Sequence, residues 1–248
     1  MAHCSKSLSA GPPAGGARRV EAEWLDRLAP DDPRAVRSRH DLQRLNALMR
    51  NAAIVRREVM GALAGRALHA IAEIGAGDGS FMLRIVERSP AHWRPAQVVL
   101  VDQHDTVTVA TLARLAARGW RARCVTADIA TWLPERGEIF DVIIANLVLH
   151  HFEDRALEAL FAAAALRTRV FVACEPRRSA LALGASRLVG LIGCNEVTRY
   201  DAPISVRAGF AGCELSGLWP AGGAWQLREG ARGLFSHCFV AGRHEERA

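Results

Sequence analysis

The chain has a single lysine, Lys6, although Lys and Arg together number 32 against 26 Asp and Glu. Its net charge of +6 is therefore almost wholly arginine. Set beside abundant alanine, this reads as a compositional habit more than as a nucleic-acid footprint. The densest basic stretch (Arg34, Arg37, Arg39, Arg44, Arg50, Arg56 and Arg57) falls in a helical pattern, where such charges usually form a solvated face. Also missing is any apolar run near the roughly 20 residues that cross a bilayer. No apolar signal segment opens the chain, so a cytoplasmic protein is expected. Six cysteines stand without a C-x-x-C pair, which argues for small buried hydrophobes rather than disulfides or zinc ligands. No internal repeat is visible.

At 248 residues the chain suits one generous domain or one with a small accessory part. Residues 1–19, rich in Gly, Pro, Ser and Ala, read as a disordered tail. Residues 20–65 read as an N-terminal helical extension: a short helix over Val20–Leu28, then a long amphipathic one over Ala35–Leu63. That long segment is expected to pack beside the core or to cover its ligand site. From residue 66 onward the pattern changes to short strand-like runs, most of them apolar, alternating with helices.

Those runs are Ile71–Ile74, Gln97–Val101, Arg121–Thr126, Phe140–Ala145 and Arg169–Cys174, with helices expected over Thr106–Arg118 and Glu153–Leu166. The alternation predicts an α/β fold, a doubly wound, mostly parallel Rossmann-like sheet with flanking helices. In such sheets a ligand binds at the carboxyl ends of the strands. Polar residues stand at those ends: Glu73 before a glycine loop, Asp102-Gln103 after the second strand, Asp128 after the third and Asn146 after the fourth. A helical lid insertion is expected after the fifth strand, over 179–210. Within it Ser179–Ile192 is apolar on more than one helical face, and a short helix over Pro203–Phe210 has Asp201 as its cap. Leu215–Trp219 and Ser236–Ala241 are expected to close the fold as two strands.

The glycine loop is the most informative stretch. In Glu73-Ile-Gly75-Ala-Gly77-Asp-Gly79-Ser80 the glycines alternate, and Ser80 occupies the position where a dinucleotide fingerprint requires glycine. A pyrophosphate-bearing dinucleotide is thereby disfavoured, and an acidic residue before the loop suits a ligand carrying positive charge.

This E-x-G-x-G-x-G order resembles motif I of the class I S-adenosylmethionine-dependent methyltransferases. The stretch from Asp141 to the Leu149-His150-His151 triplet is similar to the same segment in the ubiquinone and menaquinone biosynthesis methyltransferases and their bacterial natural-product relatives. The resemblance runs from Ile71 to Pro176. It implies S-adenosylmethionine as cofactor, held by Glu73, Gly75, Gly77, Gly79, Asp102, Gln103, Asp128, Ile129, Asn146 and Leu147. Within that set, Asp102 would take the ribose hydroxyls, Asp128 the adenine amino group with Ile129 against the ring, and Glu73 the methionine end.

It also implies methyl transfer to a small acceptor, aromatic or polyketide-like, at oxygen or carbon. His150 and His151 are the candidate bases, with His237, Tyr200 and Arg199 as weaker ones from the lid region and beyond. No metal is expected. Asn146-Leu-Val-Leu149 departs from the Asn/Asp-Pro-Pro-aromatic segment of amino-base methyltransferases, so DNA is not expected. An RNA methyltransferase, motivated by basicity alone, and an inactive cofactor-binding partner protein stay as alternatives, and a homodimer is left open.

Overall fold

The structure is a computed structural model and describes residues 16–93, 96–135, 137–222 and 224–243. Its sheet has seven strands: β1 (Ala70–Ile74), β2 (Gln97–Asp102), β3 (Arg121–Thr126), β4 (Phe140–Asn146), β5 (Thr168–Pro176), β6 (Trp225–Arg232) and β7 (Ser236–Arg243). The spatial order is β3-β2-β1-β4-β5-β7-β6. The first five are parallel, and β7 runs antiparallel to both β5 and β6. Central strands buried on both faces need unbroken apolar runs, which Val98-Val99-Leu100-Val101 and Val142-Ile143-Ile144-Ala145 supply.

The helices are α1 (Pro33–Met49), α2 (Asn51–Leu63), α3 (Ser80–Val86), α4 (Val109–Ala117), α5 (Ile129–Glu135), α6 (Asp154–Arg167), α7 (Ala180–Ser186), α8 (Glu196–Ala208) and α9 (Glu214–Leu218). One core joins α2, α3 and α4 to the sheet through Val55, Val59, Met82, Ile85 and Leu115. The other joins α5, α6 and α9 through Trp132, Leu133, Leu157, Phe161 and Leu215. Strand order reverses between β1 and β4, so a crevice opens there at the strands' carboxyl ends.

Above that edge lies a cover built from the segment before β1 and the segment between β5 and β6. Helix α1 is tied to α8 by Ser38 Oγ and Thr198 Oγ1 at 2.8 Å, and by the Asn195 N–H donating to Asp41 Oδ2 at 2.7 Å. An extended strap before α1 crosses the same region. Arg18 anchors it, donating to Asp154 Oδ1 at 2.8 Å and the Ala208 carbonyl at 2.9 Å, with its guanidinium 4.6 Å over the Phe210 ring. Residues 16–19, expected in a disordered tail, belong to this strap; the rest of that expectation, residues 1–15, lies outside the described residues.

Several local expectations are corrected. The strap is no helix over Val20–Leu28; only Leu25–Arg27 makes a 3-10 turn. Asp201, expected to cap a helix, instead accepts the N–H groups of Trp24 and Leu25 at 2.7 and 3.0 Å, holding the strap extended. Helix α8 begins earlier, on Asn195, whose side chain caps Thr198 N–H, and carries Pro203 inside it. Helix α4 begins at Val109 with Thr108 as its cap, later than Thr106. Ser179–Ile192 divides into α7 and a 3-10 turn over Val189–Ile192. Leu215–Trp219 is not a strand: it falls largely in α9, where Glu229 accepts the Leu215 and Ser216 N–H groups. Strand β6 was not anticipated. Cys213 is disulfide-bonded, against the reading of the cysteines as unbridged. Sequence spacing carries no trace of which cysteines the fold brings within bonding reach.

The long helix expected over Ala35–Leu63 breaks at Arg50, which sits at φ 59°. The break lets Asn51 turn inward. Its Nδ2 donates to Asn46 Oδ1 at 2.9 Å and Asn146 Oδ1 at 3.3 Å, while its Oδ1 accepts from Ser236 Oγ at 2.6 Å. This fully buried amide joins α1, α2, β4 and β7. Replacing Asn51 with Ala is expected to cost roughly 1–3 kcal/mol for each buried group left unpaired. Urea denaturation checks this; an unchanged midpoint would show that the break is set elsewhere.

Candidate active site

The turn after β1 folds back onto β2, with the Gly75 and Ala76 N–H groups donating to the Val101 carbonyl at 2.9 and 3.0 Å. Asp102 Oδ2 accepts the Gly77 N–H at 2.8 Å and Oδ1 the His104 N–H at 2.9 Å. The glycines then differ. A Cβ on Gly75 would lie 2.6 Å from Val148 Cγ2, so the loop after β4 leaves no room there. Gly77, at φ 53°, has nothing within 4 Å of that position. Its free side faces a cavity.

That cavity measures about 880 Å³, toward the top of the range of about 300–1,000 Å³ usual for ligand sites. Gly75, Gly77, Asp102, Gln103, Asp128, Ile129 and Leu147 line it from the strand ends, together with Leu42, Leu45 and Met49 of α1, Ala182, Ala185 and Val189 after β5, and Ala202 and Val206 of α8. His150, His151, Glu23 and Asp26 are also on its wall. Both expectations for the N-terminal segment hold in part: α2 packs on the sheet and α1 lines the cavity.

Three residues expected to bind cofactor are not on the cavity wall. Gly79 starts α3, close to Thr111 and Leu100. Asn146 is engaged with Asn51 and Asn46. Glu73 lies beneath the glycine loop and is 1% exposed. Burial, with the carboxylates of Asp78 and Asp102 nearby, pushes its carboxyl well above the usual range. Its Oε2 has no hydrogen-bond partner among the described residues. Of the weaker candidates, His237 is buried against Glu229 at 2.8 Å, and Tyr200 stacks edge-on with Trp24; neither they nor Arg199 line the cavity.

The two histidines owe their position to Glu175 at the end of β5. Fully buried, it accepts the N–H groups of Val148 and Leu149 at 3.1 and 3.0 Å, and its Oε2 lies 2.8 Å from His150 Nδ1. Glu23 from the strap approaches the other ring nitrogen, with Oε1 3.4 Å from His150 Nε2, and takes a hydrogen bond from the Ser205 hydroxyl. Burial opposes charge on His150, but Glu175 and Glu23 outweigh it and hold the imidazolium up to about 9. His151 stacks beside it, ring centroids 4.2 Å apart, with its Nδ1 3.4 Å from Asp26 Oδ2. Glu175 was visible in sequence only as the residue ending a strand. Glu23 carried no signal at all.

Residues 71–169 match the family model described as a methyltransferase domain. The match runs from β1 into β5 and takes in the glycine loop and the loop that carries both histidines. The family expected from the glycine loop is the one found. Solved structures share the fold over most of the chain. An O-methyltransferase family protein from Burkholderia thailandensis is 17% identical over 87% of this chain and 61% of its own, with a TM-score of 0.58. This chain thus spans less than two thirds of that protein. The plantazolicin methyltransferase BpumL, solved with a substrate analogue and S-adenosylhomocysteine, is 14% identical over 86% of this chain and 91% of its own, at 0.61. Magnesium protoporphyrin IX methyltransferase from Synechocystis, solved with the same product, is 15% identical over 89% and 91%, at 0.51. At such identities the likeness is one of fold. No curated protein sequence matches the chain.

Glu73 makes a testable demand on the methyltransferase domain. A carboxyl whose pKa rises on folding stays neutral in the folded chain and ionises in the unfolded one, so its stabilising share is lost as pH climbs above about 4.3. Glu73→Gln is therefore expected to raise the melting temperature of the ligand-free protein slightly at about pH 5 and more at about pH 8. Thermal denaturation at both values decides it; an equal gain at the two would mean that the carboxyl is ionised in both states.

Proposed function

We propose that the chain transfers the methyl group of S-adenosylmethionine to a small, apolar acceptor, aromatic or polyketide-like, at oxygen or carbon. The observation that carries this reading is one cavity lined both by the glycine loop and strand-end carboxylates and by apolar side chains of α1, α8 and the segment after β5. The polar part of its wall fits the cofactor on this chain's own features. The space beside Gly77 is open where a backbone-hugging ligand needs it. The oxygens of Asp102 each take one backbone N–H and keep capacity for a ribose hydroxyl. Ile129 offers an apolar face beside Asp128, whose Oδ1 already turns the Ala130 N–H.

The bound cofactor supplies a methyl group already activated by its sulfonium. The protein's task is then alignment, which alone can be worth on the order of 7–11 kcal/mol. Leucines of α1 and the segment after β5 hold the acceptor's apolar body and exclude water. The acceptor's hydroxyl or enol faces the histidine wall. There His151 takes its proton, and the His150 imidazolium, kept charged by Glu175 and Glu23, faces the resulting negative oxygen.

The RNA alternative has only net charge behind it, and the arginines of α1 are engaged within the chain. Arg37 and Arg44 pair with Asp41 and donate to the Gly193 and Ile192 carbonyls.

Two measurements test the proposal. Phenols, quinols and enolic polyketide analogues incubated with S-adenosylmethionine are expected to gain one methyl group by mass spectrometry. Tight cofactor binding with no acceptor methylated would favour the inactive partner protein. For the cofactor, Asp102→Ala is expected to weaken binding by roughly 1.5–3 kcal/mol, with Asp128→Asn costing less because its amide oxygen still accepts. Wild-type affinity in both variants, measured by calorimetry, would remove the assignment of the polar part of the wall.

A further inference from the structure

We propose that Glu23, His150 and His151 form a three-ligand site for a divalent transition-metal ion on the acceptor side of the cavity. One ligand atom from each lies within 4.8 Å of the others. Metal bonds to nitrogen and oxygen of about 2.0–2.1 Å put tetrahedral ligands about 3.3–3.4 Å apart. The Glu23 Oε1 to His150 Nε2 separation, 3.4 Å, already has that value. Only the half-buried His151 ring has to move inward.

The surroundings are those of a metal centre as well. A metal-binding histidine usually gives its second ring nitrogen to a carboxylate, which sets its tautomer and orientation. Glu175 does this for His150 at 2.8 Å, and Asp26 lies 3.4 Å from His151 Nδ1. The Ser205 hydroxyl orients the Glu23 carboxylate. All three ligands are on the cavity wall, so the remaining coordination position faces the cavity, as in catalytic sites. Two imidazoles with one carboxylate suit zinc, iron(II), cobalt(II) or nickel(II); magnesium and calcium prefer oxygen alone.

This inference rests on the methyl-transfer reading for its purpose. An ion at the site would take over the positive charge that a protonated His150 otherwise offers the acceptor oxygen. The acceptor's O–H proton would leave to solvent, its oxygen would bond to the methyl carbon, and the carbon–sulfur bond would break.

Cobalt(II) is titrated into the full chain after chelator treatment and dialysis, read by visible d–d absorption, with zinc binding measured by calorimetry. One equivalent is expected. His151→Ala, on a half-exposed side chain, should keep the fold by circular dichroism and lose the site. Glu175→Gln, a positioning change, should weaken metal binding by about 10–100-fold. No bound ion, or equal binding in wild type, His151→Ala and Glu23→Gln, overturns the proposal and leaves a protonated histidine wall. Methyl transfer undiminished in the chelated protein and unchanged by added zinc overturns the ion's role while the methyltransferase reading stands. An ion bound to a chain that methylates no acceptor supports the site and counts against that reading instead.

Discussion

The arrangement depends on the Glu175 carboxylate. Buried at the end of β5, it holds the loop after β4 by three backbone N–H groups and the ring of His150. A buried carboxylate without partners would be costly, so the loop has little freedom to leave it. That constraint propagates. Leu147 is kept at φ 53°, its N–H on the Cys174 carbonyl, and Val148 is pressed against the glycine loop so closely that only glycine fits at position 75. One acidic residue on β5 thereby links the loops after β1 and β4, both of which line the cavity.

The second constraint comes from outside the sheet. The strap that carries Glu23 and Asp26 has little regular structure, so its order comes from side chains: Arg18 at one end, Asp201 near the other. Helix α1 is joined to the glycine loop by Gln43, whose amide donates to Asp78, and to α8 through Asp41 and Ser38. Not all of the cover is closed. Leu188 lines the cavity yet is 58% exposed, and Leu191 is 83% exposed, where the apolar segment after β5 reads in sequence as a lid or as an interface with another chain or a membrane surface.

What was legible in sequence follows from range. Four of the five parallel strands could be read because burial on both faces writes itself as continuous apolar runs, β3, largely exposed, by its place after a helix, and the glycine loop because its demands are local. Asp102 and Asp128 were found by their place after strands, and both line the cavity. The misses share a cause. Asn51 breaks a good helical pattern because its partners are Asn146 and Ser236, far along the chain. Asp201 sits beside a helix-like stretch but serves the strap. Leu215–Trp219 reads as apolar enough for a strand until Glu229, itself on an unanticipated strand, accepts its N–H groups. Glu23 has no local pattern to betray it.

The central claim is that a nucleoside cofactor lies against the backbone at Gly77. Titration calorimetry of S-adenosylhomocysteine against wild type and Gly77→Ala tests it most directly. The space beside Gly77 holds no protein atom, so the variant should stay folded, with about 1–2 kcal/mol of backbone strain. One molar equivalent is expected to bind to wild type and binding to be lost or severely weakened in the folded variant. Equal affinity in the two proteins would contradict the account.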